Sequence, residues 1–232
     1  MAKKQETSQL NETLNQSEAF FLKYKKVILG AIAAFVIIVA AVICYQSFIA
    51  GPREDKASTA LGAAQELFQN EQFQLALDGD STGVAGFVKV AKDYSGTKAG
   101  NLANLYAGLC YANLEKWEEA VKYLEKFSPK DDAMISPAAI EALGNAYAHV
   151  NQLDKAVKTL VKAADRADKQ GTDGVNNSLS PSFRLQAAKI LESQGKKEEA
   201  LKIYQEIKEK YVASALVQSQ EIDEYIERCS TK

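Results

Sequence analysis

The chain has 232 residues, 28 Lys and Arg against 30 Asp and Glu, and a formal net charge of −2. With 47% hydrophobic and 25% charged residues and only 4 Pro, its composition excludes wholesale disorder and collagen-like repeats. Three Cys are too few for a disulfide scaffold, and a single His nearly removes His-based catalysis and most zinc sites.

Residues 1–26 are polar up to Ser17 and then amphipathic through Phe20, Phe21, Leu22 and Tyr24. They read as a tail ending in an interfacial aromatic–Lys anchor. Val27 to Tyr45 follows, 19 residues without a charge or an amide side chain. At about 1.5 Å per residue the run spans roughly 28 Å, close to a hydrocarbon core. Ser47, Phe48 and Ile49 extend it, so the predicted transmembrane helix is 27–49. A buried core helix rarely stays apolar on every face for this length. A cleaved signal peptide fits poorly, because the preceding segment is long and no small-x-small site follows. Ile43 before Cys44 does not fit a lipoprotein signal. Lys3, Lys4, Lys23, Lys25 and Lys26 precede the span, whereas Arg53 and Lys56 follow it beside Glu54 and Asp55. Positive flanks resist translocation, so the N-terminus is expected in the cytoplasm and the remainder across the membrane. Residues 1–50 carry 5 Lys and 3 Glu, which leaves 51–232 with a charge of −4. An acidic soluble domain argues against nucleic acid.

The rest of the chain repeats. From a small residue, recurring positions lie 3, 12, 16 and 19 residues downstream. The three series are Gly108, Tyr111, Ala120, Leu124, Phe127; Gly144, Tyr147, Ala156, Leu160, Ala163; and Ala188, Leu191, Ala200, Tyr204, Ile207. The physical reading is a packed helix pair. The small residue lets the partner helix approach, the next aromatic or Leu fills the gap, and the Ala sits where two backbones nearly touch. Polar turns lie at Leu114–Trp117, Asn151–Asp154 and Gln194–Lys197. Two first helices open on Ser-Pro, Ser136-Pro137 and Ser180-Pro181, where Ser is expected to cap and Pro loses no hydrogen bond.

This pattern resembles the tetratricopeptide repeat (TPR), a helix–turn–helix unit that stacks into an all-α solenoid. Matching units fall at 101–134, 137–170 and 181–214. The segment Lys169–Pro181 has the composition of an inserted loop. Residues 54–94 read as a degenerate first unit: Ala64, Leu67 and Ala76 keep the spacing, but Asp80, in the run Asp78–Gly83, breaks the second helix before a new one begins near Gly86. Ala215, Leu216, Ile222, Tyr225 and Ile226 mark a capping helix over 214–229, ending a domain that spans 54–229. A cytoplasmic tail, one span and a TPR domain together resemble single-span periplasmic TPR proteins of bacteria, the YfgM-like group. The run Gly96–Tyr111 is similar to the stretch that marks them, notably in Bacteroidota. The resemblance implies a periplasmic domain held at the inner membrane, ancillary to the Sec translocon or to periplasmic chaperones.

Little else carries chemistry. Asp78 and Asp80 do not complete a calcium loop. Asp80-Ser81-Thr82 resembles a short O-glycosylation acceptor pattern of some Bacteroidota. Cys110 reads as a small hydrophobe, and Cys229 suggests a bond between chains. Trp117 reads as inter-helix packing. No nucleophile elbow, phosphate loop, carboxylate dyad or metal cluster appears, so neither an enzyme nor a cofactor is predicted. What remains is the inner face of the first helices: Leu105, Leu109 and Asn113, then Glu141, Asn145 and His149, then Leu185, Lys189 and Glu192. The polar members Asn113, Glu141, Asn145, His149 and Lys189 are the expected protein-binding groove, suited to an extended peptide or a partner helix. The predicted function is a membrane-anchored scaffold for protein partners. The alternative is a structural subunit that assembles with copies of itself or builds an envelope complex.

Overall fold

The computed structural model describes the backbone of residues 2–230 and the side chains of residues 23–230. The anchoring role expected of Phe20, Phe21 and Leu22 lies outside the described side chains. The chain divides into two parts, Met1–Arg53 and Glu54–Lys232.

The first part is a helix, α1 (Ala2–Tyr45), followed by a π-helical turn at Gln46–Ala50. The turn closes with a bond from the Gly51 N–H to the Gln46 carbonyl. Pro52 has no N–H to continue an α-helical ladder, and its ring crowds the carbonyl one turn back, so a wider turn sits there. The apolar run of α1 is bare: Phe35 is 67% exposed and Ile37 68%. A soluble core helix of this composition would be covered. This is one helix long and apolar enough to cross a membrane.

The second part is built from helices alone, and among the described residues β structure is limited to two isolated bridges. In chain order they are α2 (Gly51–Gln69), α3 (Phe73–Asp78), α4 (Phe87–Asp93), α5 (Lys98–Asn113), α6 (Trp117–Leu124), α7 (Ile135–His149), α8 (Leu153–Lys169), α9 (Ser180–Ser193), α10 (Lys197–Lys210), α11 (Ala215–Gln218) and α12 (Glu221–Ser230). From α4 to α10 each helix packs on the next, and α12 closes on α10. This is the all-α solenoid that the repeat pattern predicts.

The small residues act as the spacing implies. A Cβ on Gly108 would lie 2.5 Å from Leu124 Cγ, and one on Gly144 2.8 Å from Leu160 Cγ. Ala76, Ala120, Ala156 and Ala200 are all fully buried. Every pair also turns the same way. Glu71, Glu115, Asn151 and Gly195, each seven residues after the packing residue, have positive φ of 59°, 58°, 58° and 75°. The following N–H reaches back to the carbonyl five residues earlier: Gln72 to Leu67, Lys116 to Tyr111, Gln152 to Tyr147 and Lys196 to Leu191, at 2.8–2.9 Å. That is a Schellman closure repeated four times. It includes the degenerate first pair.

In that first pair, α3 ends at Asp78, Gly79 takes φ 90°, and α4 begins only at Phe87. Both α3 and α4 pack on α5, so the second helix is interrupted rather than lost. The loop between them is held by the Asp80 carboxylate, which accepts from the N–H and hydroxyl of Thr82 and from the Val84 N–H. Phe87 is carried back into the core, stacked on Tyr106 with centroids 5.2 Å apart.

Two local expectations are corrected. Ser136 and Ser180 do not cap; each lies inside its helix and is fully buried. Asp132 takes over at α7, accepting from the Ser136 N–H at 2.9 Å, while the Ser180 hydroxyl reaches back to the Ala164 carbonyl at 2.9 Å. The C-terminal helix is broken into α11 and α12 at Gln220, where φ is 62°. The break lets Ile222 become fully buried with Tyr204 and Ile207 while Ala215 stays exposed.

Candidate functional site

The expected groove residues sit at corresponding places on successive first helices. Asn113 and His149 each lie five residues after the packing glycine; Asn145 and Lys189 each lie one residue after the packing residue. On α7, Glu141, Asn145 and His149 recur every four residues and so share one face. Asn145 donates to Glu141 Oε1 at 2.5 Å, and both are half-buried. Among these described residues it is the one direct contact within the five. Asn113 is exposed and donates its amide to the Leu109 carbonyl at 2.8 Å.

His149 is not a free groove side chain. Its ring lies flat on Trp117, 3.6 Å between centroids and 4° between planes. This stack joins the start of α6 to the end of α7 and gives Trp117 a role beyond packing inside its own pair. Lys189 is also engaged, its ammonium 4.9 Å from the Tyr225 ring centroid. Next to it Arg228 grips Glu192 with two bonds of 2.6 and 2.7 Å, and the Tyr204 hydroxyl donates to the same carboxylate at 3.0 Å. The Arg228 bond holds the Glu192 carboxyl below its usual range. Burial, together with that carboxylate, pushes the Tyr204 phenol up. The α9 end of the row therefore meets α12. Leu105 and Leu185, placed on the inner face from spacing, are 6% and 9% exposed and belong to the core; Leu109 is half-buried. Glu141, Asn145, His149 and Asn113 form the accessible polar stretch.

A buried charged cluster escaped the sequence reading. Arg184 of α9 is 5% exposed and bonds Asp165 at 2.7 Å and the Tyr211 hydroxyl at 2.7 Å. Asp168 of α8, also 5% exposed, accepts from Lys210 at 2.6 Å, Tyr211 at 2.7 Å and the Asn176 N–H at 3.0 Å. Burial alone would raise the Asp168 carboxyl; the bonds from Lys210 and its other partners outweigh it and hold the group low. These residues lie up to 43 positions apart, so no local spacing announces them. Fully partnered, they fasten α8, α9 and α10 rather than present a reactive group.

The remaining candidates are structural. Asp80 is turned onto its own loop and its carboxyl is held low, first by the Thr82 hydroxyl. No group of three His, Cys, Asp or Glu suited to a metal occurs among the described residues. Cys110 is buried, and burial pushes its thiol up to about 12. Cys229 is 8% exposed against Tyr204, which argues against the expected bond between chains.

Comparison with known proteins agrees with this geometry. The tetratricopeptide repeat family model matches residues 102–128 and 184–214, within two of the helix-pair units. The fold is TPR-like. Two solved structures of nearly identical TPR-like repeats from a Podosopora anserina kinesin light chain superpose with TM-scores of 0.53 at 17% identity. They cover 76% of this chain and 93% and 94% of theirs. At that identity the likeness concerns the fold. No curated protein matches the chain.

Proposed function

We propose that the chain is a single-pass, membrane-anchored TPR scaffold. In this reading its solenoid faces the periplasm and binds protein partners along the row Asn113, Glu141, Asn145 and His149. The observation that carries the proposal is that row: Asn113 and His149 hold equivalent places on the successive first helices α5 and α7, and Glu141 and Asn145 share the His149 face of α7. Such a row offers donors and acceptors to an extended peptide or a helix without disturbing the core. The bare apolar run of α1 supports an anchor, and Lys23, Lys25 and Lys26 beside it support a cytoplasmic N-terminus. Anchoring raises the effective concentration of the solenoid near membrane-borne partners. The resemblance to the YfgM-like group makes the Sec translocon and periplasmic chaperones the partners to test first.

Two measurements test this reading. A reporter active only outside the cytoplasm, fused after Lys232, is expected to be active. Activity only from a cytoplasm-dependent reporter would overturn the orientation. In-membrane crosslinking is expected to capture secretory clients or translocon subunits. Self-crosslinks alone would favour the oligomerising subunit instead.

A further inference from the structure

Three of the four residues in the accessible polar stretch are held from within their own helix. Asn145 donates to Glu141, and Asn113 donates to the Leu109 carbonyl. The fourth, His149, is the last residue of α7, and its ring is held from the neighbouring pair by Trp117, the first residue of α6. Trp117 is itself fixed, half-buried against the core cluster that contains Leu105, Ala120 and Ala146. One face of the imidazole is therefore covered by a fixed indole, while His149 as a whole stays exposed.

The repeat does not need this stack to build its solenoid. Trp117 lies nine residues after its packing residue and His149 five after its own. At the junction before, the same two places hold Phe73 and Asn113; at the junction after, Leu153 and Ser193. Phe73 instead meets Phe68 of its own pair, with ring centroids 5.5 Å apart, and Leu153 and Ser193 have no rings to stack. The helices pack on one another at all three junctions. The stack is thus particular to the one junction where a groove side chain has no partner on its own helix.

We infer that Trp117 is a positioning residue of the groove: it fixes the His149 ring before a partner arrives, so the partner meets a preset side chain. This rests on the groove reading given above. An immobilised side chain that must otherwise be ordered on binding weakens an interface by about two- to tenfold. Trp117 acts through His149 alone, so removing either ring has the same consequence for binding, and removing both adds nothing.

The chain has a single Trp and a single His, so both rings can be followed without ambiguity. The test uses the full chain. In non-ionic detergent, the His149 ring protons are expected upfield, above the indole, in wild type and, less strongly, in Trp117→Phe, and at their ordinary position in Trp117→Leu. Leu is what the next pair carries at this place, so helicity should persist; should Trp117→Leu lose it, Trp117→Met takes its place with the same expectations. In membranes, a photoreactive p-benzoylphenylalanine at Ser193, on the next first helix, reports groove occupancy as the yield of crosslinked adducts. Trp117→Leu and His149→Ala are each expected to lower that yield about two- to tenfold, the double variant no further, and Trp117→Phe to restore most of it. Full yield in Trp117→Leu with a loss in His149→Ala would overturn the inference and leave the groove reading standing. A further loss in the double variant, or an unaffected His149→Ala, would also overturn it. Absence of adducts in wild type would sink the groove reading itself, and this inference with it.

Discussion

The junction of α7 with α8 and the junction of α8, α9 and α10 are closed by opposite means. At the first, Gly144 lets Leu160 approach until no Cβ would fit, and Ala156 and Leu160 are fully buried. At the second, Asp168, Arg184, Lys210 and Tyr211 bring charge and hydroxyls into the interior, each with partners. Dispersion and burial tolerate small errors gradually, whereas an ionic cluster stripped of one member leaves a charge buried without a counter-ion. The two junctions should therefore break by different amounts and with different dependence on pH.

The largest expected effect is at the charged junction. Asp168→Ala should cost about 3–5 kcal/mol, because it strips Lys210, the Tyr211 hydroxyl and the Asn176 N–H of their buried acceptor and leaves Arg184 with Asp165 and Glu206 alone. The Asp168 carboxyl is held low in the fold, so its unfolded value, about 3.9, is the higher one. Its stabilisation is complete above that pH and disappears as pH falls toward the folded value. Urea melts from neutral to acid pH should show this loss in wild type and a flatter profile in the variant. A loss below 1 kcal/mol would mean the cluster is solvated.

The apolar junction should respond less. Ala156→Leu should cost about 1–3 kcal/mol by overpacking. Lys158→Ala, two residues on and exposed, should stay within about 0.5 kcal/mol. Equal shifts in thermal melting would contradict the packing register.

The Trp117–His149 stack joins two pairs at the surface and should be worth less again. His149→Ala should cost about 0.5–1 kcal/mol and change the emission of the single Trp. The smallest effect should have the opposite sign. Glu115 holds φ 58°, which favours glycine, so Glu115→Gly should stabilise by about 0.5 kcal/mol in the same melts. A drop in stability there would show that the Glu115 side chain contributes more than its backbone costs.

Why one junction was readable and the other was not follows from distance along the chain. Gly108, Gly144 and their partners 16 residues on lie within one helix pair, so the constraint repeats at fixed spacing. The turn at Gly195 was visible as glycine; its equivalents Glu71, Glu115 and Asn151 were hidden because residues with side chains occupy the same backbone state. Asp168 and Tyr211 sit in different pairs, and their meeting depends on how the loop after α8 sets α9 and α10. Ser136 and Ser180 misled because a Ser before Pro usually caps, and here burial claimed both hydroxyls. In the candidate groove, spacing placed Asn113, Glu141, Asn145 and His149 on first helices. It could not reveal that Trp117 covers one face of His149, or that α12 brings Tyr225 under Lys189.

The most direct test of the scaffold proposal is partner capture by crosslinking in membranes with two sets of substitutions compared. Changing Glu141, Asn145, His149 and Lys189 to Ala should leave helicity intact, shift stability by about 1 kcal/mol, mostly from the lost stack, and sharply reduce capture. Changing Lys122, Lys158 and Lys162 to Ala should leave that capture largely in place. Capture abolished by the lysine set and untouched by the first set would contradict groove recognition.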